Sequence, residues 1–425
     1  MLRYLKSQSF ACIAGLAFTL VAGATFVISA HAQSKEPIKI GFSMAQTGPL
    51  GPNGNQALLG MKIWEEETNA KGGLLGRPVK LVYYDDQSNP STVPGIYTKL
   101  LDVDKVDLVL GGYATNMVAP AMPVVIQKKK TFIGLFALDA NSEFHYPKYF
   151  SVIPTGPKTK ESFTEGVFQV AAQQNPKPTT VALAAEDAEF SRNACIGARA
   201  NAKTFGVKVV YDKSFPPGTT DFSPIVRAIQ ATNPDLVVIC SYPLDSVGMV
   251  LAVNEAKFMP KMIGGGMVGL QSTVFKTKLG PALNGFINYD FWLPTKSMMF
   301  AGTDEFMKKY QERAAKAGVD PLGYYMAPYS YAYLDVLGQA ISATKSLDDG
   351  KLADYIRKTT FKTIVGDVKF GKDGEFAKAR VLQAQFRGIK GNGIDQFKDP
   401  NVEVVITPAE YKSGNIIYPY EKARQ

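Results

Sequence analysis

Short apolar runs alternate along the chain with longer stretches in which apolar residues recur at helical spacing. The first apolar run covers residues 38–44 and is followed by a helical pattern over 55–69. Three more apolar runs follow with helical patterns between them, at residues 79–84, 106–110 and 131–136. Parallel strands joined by crossover helices produce this alternation. The sequence therefore predicts an α/β fold that begins with a parallel sheet.

A second series of apolar runs begins near the middle of the chain and predicts a second parallel sheet. Its runs lie at residues 180–185, 207–211, 236–240 and 262–264. Between the two series, residues 152–157 (VIPTGP) contain two prolines and a glycine, which suits a connecting segment better than a core element. A chain of 425 residues is long for a single core. We therefore predict two doubly wound parallel-sheet lobes.

The last third of the chain predicts further passages between the lobes. A strand at 286–291 and helices at 304–317 and 328–346 are expected to return to the first lobe. The β-rich segments 381–386 and 402–406 are then expected to cross back to the second lobe. The predicted lobes are residues 33–154 with 289–365, and residues 155–288 with 366–425.

The N-terminus has the pattern of a secretory signal. Two basic residues precede an apolar stretch at 11–28 that contains no charged side chain. Ala30 and Ala32 then supply the small residues that a signal peptidase reads. We predict a signal peptide over residues 1–32 and a mature protein that begins at Gln33 in the periplasm.

The composition excludes several classes of function. The formal net charge is +9, but the basic residues are scattered among acids, and only residues 128–130 form a run. No nucleic-acid-binding face is therefore predicted. Removal of the signal leaves His145 as the only histidine, which argues against a histidine triad or a multi-histidine metal site. We predict no catalytic residue, metal or cofactor. The pattern favours two buried thiols at Cys195 and Cys240 over a disulfide, which an oxidising compartment would also permit.

In the first lobe, candidate binding residues lie where the predicted strands end. Ligands of open parallel sheets bind beyond the carboxyl ends of strands, where loops and helix N-termini converge. The glycine-rich segment 46–54 is expected to be a flexible loop that lines a cleft. In the next loop, Thr115 either caps its own helix or holds a ligand carboxylate. Asp139 follows the fourth strand and either accepts from a ligand donor or forms an Asx turn.

In the second lobe, the equivalent strand ends carry aromatic residues. Phe190 and Tyr242 follow the first and third predicted strands of this lobe, and each is either a cleft residue or part of the core. Aromatic side chains that face a cleft offer apolar area and flat faces to a ligand. Tyr324, Tyr325 and Tyr329 either line the same cleft or form the first turn of a packed helix.

Four motifs in order along the chain carry a resemblance to a known family. They are AKGGLLG at 70–76, YDD at 84–86, GG at 111–112 and TDFS at 220–223. Over essentially the whole mature chain, the sequence resembles the periplasmic leucine/isoleucine/valine-binding proteins. The resemblance implies a type I periplasmic-binding fold, in which two doubly wound lobes joined by three crossings close on a ligand by a hinge movement. It also implies a monomer that delivers a small-molecule carboxylate to the permease and ATPase of an ABC importer.

The resemblance assigns roles to the strand-end residues. The loop of Tyr113, Ala114 and Thr115 is expected to hold a ligand carboxylate through backbone groups and a hydroxyl. Phe190 and Tyr242 are expected to cover the ligand from the second lobe. These positions match the family pattern and predict a site that binds the carboxylate end of a small molecule.

The positions expected near a ligand ammonium depart from the family pattern. Ala137 and Asp139 match residues that contact the ammonium region, with Asp139 replacing a threonine. Gly266 stands where the family carries an acid, in the loop after the strand at 262–264, and Asn53 replaces an aromatic residue. A buried ammonium without its counter-charge costs several kcal/mol. An aromatic acid or an oxo-acid is therefore favoured over leucine, while Asp139 leaves an amino acid open.

A second class of function remains open at this point. The same fold could present its bound molecule to a membrane signalling partner, as an extracytoplasmic sensor does. Export without a fused signalling segment favours transport. An enzyme is not predicted, because the dinucleotide fingerprint, the nucleophile elbow and a metal cluster are all missing from the sequence.

Overall fold

The computed structural model describes residues 36–424 as an α/β protein. The signal peptide predicted over residues 1–32 lies outside the described residues. Across 36–424, no helix combines the length and the apolar character that a membrane crossing requires.

The first sheet is parallel and contains three strands: β1 at Ile38–Met44, β2 at Val79–Asp85 and β3 at Leu108–Val109. Its order is β2-β1-β3. A parallel pair follows in the chain, with β4 at Phe132–Gly134 and β5 at Tyr149–Ser151. The strands predicted for this part of the chain are confirmed. The loops after β1 and β3 leave the same edge of the sheet, as parallel strands require.

The second sheet contains seven strands: β6 at Thr180–Glu186, β7 at Lys208–Phe215, β8 at Leu236–Ser241, β9 at Met262–Met267, β10 at Ile287–Asp290, β13 at Leu382–Phe386 and β14 at Glu403–Thr407. Their order is β14-β13-β10-β9-β8-β6-β7. Strands β6 to β10 run parallel, and β13 is antiparallel to both β10 and β14. A hairpin formed by β11 at Thr360–Thr363 and β12 at Gly366–Lys369 precedes β13.

The position of β10 corrects one sequence-based expectation. The strand predicted at 286–291 was expected to return to the first lobe, but it lies in the second sheet between β9 and β13. All four of its residues are buried, so both of its edges need hydrogen-bonding neighbours, and only the interior of the larger sheet supplies them. The chain leaves the second sheet only after Asp290.

Thirteen helices cover the sheets within the described residues: α1 at Gly51–Ala70, α2 at Val93–Thr98, α3 at Thr115–Val118, α4 at Met122–Gln127, α5 at Thr159–Ala172, α6 at Glu189–Thr204, α7 at Ser223–Ala231, α8 at Pro243–Glu255, α9 at Thr273–Leu279, α10 at Thr303–Ala317, α11 at Ala327–Thr344, α12 at Asp349–Lys358 and α13 at Tyr420–Ala423. Helices α10 and α11 pack on α1, and α12 packs on α11. We call β1–β5 and β11–β12, with α1–α4 and α10–α12, the first half. The second sheet with α5–α9 and α13 is the second half.

Helix α1 begins four residues earlier than the pattern predicted. Its first residue is Gly51, with Pro52 in the first turn, a position that proline favours because its missing N–H has no partner there in any case. Asn53 therefore lies on a helix and not in a flexible loop. At Gly60 a Cβ would lie 2.4 Å from Ser330 Oγ. Glycine thus allows α1 and α11 to approach closely.

Three links join the halves: residues 152–158, 291–302 and 370–381. The N–H of Arg380 in the third link donates to the carbonyl of Pro154 in the first at 2.7 Å, and the Arg380 guanidinium carbon lies 5.5 Å from the ring centroid of Phe300 in the second. The links therefore form one connected region at the side of the molecule where the halves are covalently joined.

The two cysteines of the described chain are free and buried. Cys195 on α6 and Cys240 in β8 have their Sγ atoms 3.1 Å apart. The hydrogen bond to the neighbouring thiol and burial together raise the pKa of Cys195 well above its ordinary value. A thiol held in its neutral form is a poor nucleophile.

Candidate functional site

The two halves meet around a small cavity walled by aromatic rings. All of its lining residues are uncharged: Tyr113, Ala114, Thr115, Phe136, Ile153, Phe163, Phe190, Tyr242, Val268, Tyr289, Phe291 and Tyr325. We call it the aromatic cavity. Its volume is about 10 Å³, which is room for about one water molecule. A larger ligand therefore needs the walls to move apart.

The loop that precedes α3 supplies the polar edge of this cavity. Gly111 and Gly112 let the loop backbone lie against the first sheet, since a Cβ on Gly112 would be 2.6 Å from the carbonyl oxygen of Ser43. Thr115 is fully buried, and its Oγ1 accepts a hydrogen bond from the Leu138 N–H at 2.9 Å. The hydroxyl hydrogen remains to be donated.

The interpretation of Thr115 as a helix cap is wrong. Helix α3 begins at Thr115, its N-cap is Ala114, and no side chain caps it. The backbone N–H groups of Thr115 and Asn116 have no acceptor among the hydrogen bonds of the described residues. First-turn N–H groups of a helix have no intrahelical partner. Together with the hydroxyl they form a set of donors suited to a carboxylate.

Strained backbone occurs on both sides of these donors. Ala114 has φ 81° and ψ 150°, a combination that glycine adopts almost exclusively. Phe136, which also lines the cavity, has φ 53°. Each such residue costs about 1–3 kcal/mol and persists only where the surroundings fix it. Outliers of this kind cluster at ligand sites, which is consistent with a binding role for this loop.

A chain of hydrogen bonds fixes the tyrosine hydroxyls at one end of the cavity. Asn53 Nδ2 donates to Tyr113 Oη at 2.9 Å, and Asn53 Oδ1 accepts from Ser272 Oγ at 2.5 Å. The hydroxyls of Tyr289 and Tyr325 are 2.7 Å apart. Burial raises the pKa of Tyr113 to about 12. The hydroxyls are therefore neutral at neutral pH, and Asn53 connects the first half to Ser272 of the second.

Phe190 and Tyr242 line the cavity from the second half. Their ring centroids are 5.6 Å apart, and Phe190 also packs edge-to-face on Phe163 at 5.1 Å. Tyr242 Oη donates to Asn116 Oδ1 at 3.0 Å, and the N–H of Phe190 reaches the same oxygen at 3.4 Å. Asn116 belongs to the first half, so its side chain is a further contact between the halves.

Ala137 and Asp139 line a different cavity. That cavity has a volume of about 150 Å³ and also contains Tyr149 and Thr159 in its wall. The carboxylate of Asp139 lies 2.8 Å from Lys160 Nζ and accepts from the Thr159 hydroxyl at 2.7 Å. Asp139 therefore does not line the aromatic cavity, and its charge is paired with a lysine from α5.

Gly266 does not line the aromatic cavity either. Strand β9 runs to Met267, three residues past its predicted end, so Gly266 lies inside the strand and not in the loop after it. A Cβ at this position would meet Phe163 Cε1 at 3.0 Å and Ala194 Cβ at 3.6 Å. The position faces helices α5 and α6. The loop itself begins at Val268, and its residues 268–272 (VGLQS) include no acid.

One acid that sequence reasoning missed is Glu186, at the carboxyl end of β6. It is buried, accepts a hydrogen bond from the Tyr242 N–H and lines a cavity of about 480 Å³ together with Asn116 and Arg192. Burial raises the pKa of Glu186 to about 7. The only sequence signal for Glu186 is its position at the end of β6, four residues before Phe190.

Five of the nine predicted positions line the aromatic cavity, and Asn53 is bonded to one of them. Several other wall residues were not predicted: Phe136, Phe163, Tyr289 and Phe291. Of the tyrosine cluster, Tyr325 lines the cavity, whereas Tyr329 packs behind it on Phe136 with ring centroids 5.0 Å apart. No group of three or more potential metal-ligating side chains occurs in residues 36–424.

Comparison with known proteins identifies the family. Residues 37–390 match the family model of periplasmic binding proteins. Leu/Ile/Val-binding protein homolog 7 of Brucella abortus (strain 2308) is 24% identical over 368 residues, which cover 84% of this chain and 90% of that protein.

Solved structures share the fold. A leucine-binding protein from Thermotoga maritima has a TM-score of 0.72 at 21% identity, covering 84% of this chain and 96% of the other. The solute-binding protein of an ABC transporter from R. palustris, in complex with 4-hydroxybenzoate, has a TM-score of 0.71 at 20% identity, covering 84% and 94%. With its two α/β halves and three links, this chain belongs to the periplasmic binding protein family and has the type I periplasmic-binding fold.

Proposed function

We propose that this protein captures a small carboxylate with an aromatic or apolar body for an ABC importer of the branched-chain amino acid type. The observation that carries the proposal is the aromatic cavity. Its lining contains no ionised side chain, yet one edge offers the Thr115 hydroxyl, and the Thr115 and Asn116 N–H groups have no other acceptor. Donors without an acceptor suit a carboxylate.

The same surroundings disfavour an α-ammonium group. A buried charge needs an opposite charge or a full set of hydrogen bonds. Asp139 is paired with Lys160, Gly266 supplies no side chain, and Glu186 lines the neighbouring cavity. Leucine would therefore bury its ammonium among neutral rings, whereas its oxo-acid counterpart meets no such conflict.

The ring-lined walls favour a flat body. Burial of about 100 Å² of apolar ligand surface contributes on the order of 2.5 kcal/mol, and edge-to-face contacts with aromatic side chains add to this. Tyrosine hydroxyls also line the cavity and suit a ligand that carries a phenol group. A 4-hydroxybenzoate complex exists among proteins that share this fold, which supports an aromatic acid.

Capture requires the halves to move. We propose that the first half and the second half act as lobes that close by bending at the three links. The contacts of Asn53 with Ser272 and of Asn116 with Tyr242 join the halves and would form on closure. They support a closed form that encloses the ligand between the aromatic walls.

The proposed function also includes export of the protein and delivery of its ligand to a transporter. A signal peptide over residues 1–32 would export a monomer to the periplasm, where it would deliver its ligand to a permease and an ATPase. Uptake of the labelled ligand by cells that lack this gene tests transport. Lost uptake supports it, whereas normal uptake with a lost transcriptional response would indicate the sensor function.

The ligand class is tested by pairing each amino acid with its deaminated counterpart in a thermal-shift panel. The pairs are leucine with 4-methyl-2-oxopentanoate, and phenylalanine with phenylpyruvate and cinnamate; 4-hydroxybenzoate is added alone. The acids are expected to stabilise the protein and the amino acids are not. Thr115→Val should reduce the shift, and Thr98→Val, at an exposed threonine of α2, is the matched control. Stabilisation by the amino acids alone would overturn the proposal.

A further inference from the structure

We propose that a second cavity, at the links between the halves, binds a small organic carboxylate with a flat apolar body, and that the Arg380 guanidinium pairs with the carboxylate. This hinge cavity has a volume of about 440 Å³ and is lined by Phe300, Lys369, Phe376, Lys378, Arg380 and Tyr411, among others. It shares no lining residue with the aromatic cavity. The inference therefore goes beyond the proposed function.

Arg380 is a buried cation without an anion. Arg380 is 8% exposed, and its Nε has no hydrogen-bond partner among the described residues. One Nη donates to the Tyr329 hydroxyl at 3.2 Å, while a guanidinium has five N–H groups to satisfy. Burial acts to lower the pKa of Arg380, but the Tyr329 and Tyr411 hydroxyls outweigh it, so the group stays charged.

The acids near Arg380 are engaged elsewhere. Asp367 and Glu410 also line the hinge cavity, but they pair with Lys362 and Lys378. A buried charge without a partner is costly, so an anion that binds at Arg380 gains more binding free energy than it would at an exposed arginine. The planar fork of arginine matches a carboxylate, with two parallel hydrogen bonds.

The walls beside Arg380 select for an apolar body. The guanidinium carbon lies 5.5 Å from the ring centroid of Phe300 and 5.9 Å from that of Phe376. Lys369 at the rim is exposed and adds positive charge at the entrance. Two rings and a cation in a cavity of about 440 Å³ fit an arylcarboxylate better than a small inorganic anion, which would leave the rings without contact.

The position of this cavity connects it to the aromatic cavity. The Tyr329 hydroxyl, which accepts from Arg380, donates to the Phe291 carbonyl at 3.1 Å, and Phe291 lines the aromatic cavity. The Arg380 N–H is bonded to Pro154 in the first link. Two consecutive hydrogen bonds through Tyr329 therefore connect Arg380 to the wall of the aromatic cavity.

The test uses 19F NMR of 4-fluorobenzoate with the mature protein. Two bound resonances are expected: Arg380→Gln removes one, and Thr115→Val removes the other. Loss of the charge-assisted pair should weaken binding at the hinge cavity by about tenfold to a hundredfold. Lys372→Gln, at an exposed lysine outside the cavity lining, is the matched control and should leave both resonances. If the wild-type protein shows only the Arg380-dependent resonance, the proposed function is refuted and the hinge site is not.

Other outcomes overturn the hinge site. A second resonance that persists in folded Arg380→Gln, or the absence of any resonance that depends on Arg380, would do so. If Arg380→Gln does not fold, Lys369→Gln is the test variant, because loss of the rim charge should weaken binding at the hinge cavity alone. Unchanged binding at the hinge cavity in that variant refutes the proposal. Displacement of 4-fluorobenzoate from this site by an equal concentration of inorganic phosphate would refute the role of the aromatic walls.

Discussion

Replacement of Thr115 by valine tests the carboxylate site most directly, because valine matches threonine in shape and lacks only the hydroxyl. The hydroxyl hydrogen is the part of the side chain left to donate to a ligand, since Oγ1 already accepts from the Leu138 N–H. A hydrogen bond to a charged group contributes about 1.5–3 kcal/mol. The dissociation constant for the best acid of the thermal-shift panel should therefore rise about tenfold to a hundredfold.

The same substitution should also destabilise the protein. Leu138 is fully buried, so its N–H would lose its acceptor, at a cost of about 1–3 kcal/mol in the free energy of unfolding. Thr115→Ser keeps the oxygen and separates the two effects: it should retain ligand affinity to within a few-fold. Titration calorimetry measures the affinity, and urea denaturation measures the stability.

The reasoning is refuted if folded Thr115→Val binds the acid as tightly as the wild type does. The methyl ester of the ligand provides an internal control, because it lacks the negative charge. It should bind weakly to the wild type and equally weakly to Thr115→Val. A methyl ester that binds as well as the free acid would show that the donors at α3 do not hold a carboxylate.

Four further predictions follow from the structure and the sequence. Burial raises the pKa of Glu186 to about 7 from an ordinary 4.5, so its contribution to stability is full below about pH 4.5 and is lost as the pH rises through 7. Glu186→Gln should therefore raise the free energy of unfolding over that of the wild type by about 2–3 kcal/mol at pH 8 and by little at pH 4.5. Equal differences in urea denaturation at both pH values would contradict this. Asn53→Ala removes the bond to Ser272 and should speed ligand dissociation several-fold in stopped-flow fluorescence, whereas an unchanged rate would exclude a role in closure. Exported protein should begin at Gln33 on N-terminal sequencing, and ligand should reduce its radius in small-angle scattering; another first residue or a constant radius would count against the signal or the hinge.

The fold could be predicted because its signal is local. Each βαβ unit repeats an apolar run and an amphipathic stretch within a few tens of residues, and this pattern gave most strands of both sheets. The assignment of β10 failed because hydrophobic periodicity identifies a strand without identifying its neighbours. The residues of Ile287–Asp290 (INYD) do not distinguish one sheet from the other, and one of its two neighbours, β13, comes from a distant part of the chain.

The site could be predicted only where it lies at strand ends. Tyr113, Ala114 and Thr115 follow β3, and their position was fixed once that strand was recognised. Phe163 and Phe291 were missed because one lies inside α5 and the other in a link, where a buried aromatic residue looks the same whether it packs in a core or against a ligand. Gly266 was misplaced because the extent of β9 depends on its pairing with β8, which the sequence does not display.

The proposed selectivity against an ammonium group rests on how two acids that line the neighbouring cavities, Asp139 and Glu186, are held. A ligand ammonium could recruit Asp139 only by replacing Lys160, whose ammonium already lies 2.8 Å from the carboxylate, so the exchange of one ammonium for another would gain little. It could recruit Glu186 only by ionising a buried carboxyl whose pKa is raised to about 7 and by reaching past Tyr242. Neither route offers a full counter-charge, whereas a deaminated acid needs none. The proposed discrimination between an amino acid and its oxo-acid would therefore come from how the acids beside the aromatic cavity are held, and it would not require any group that repels the amino acid directly.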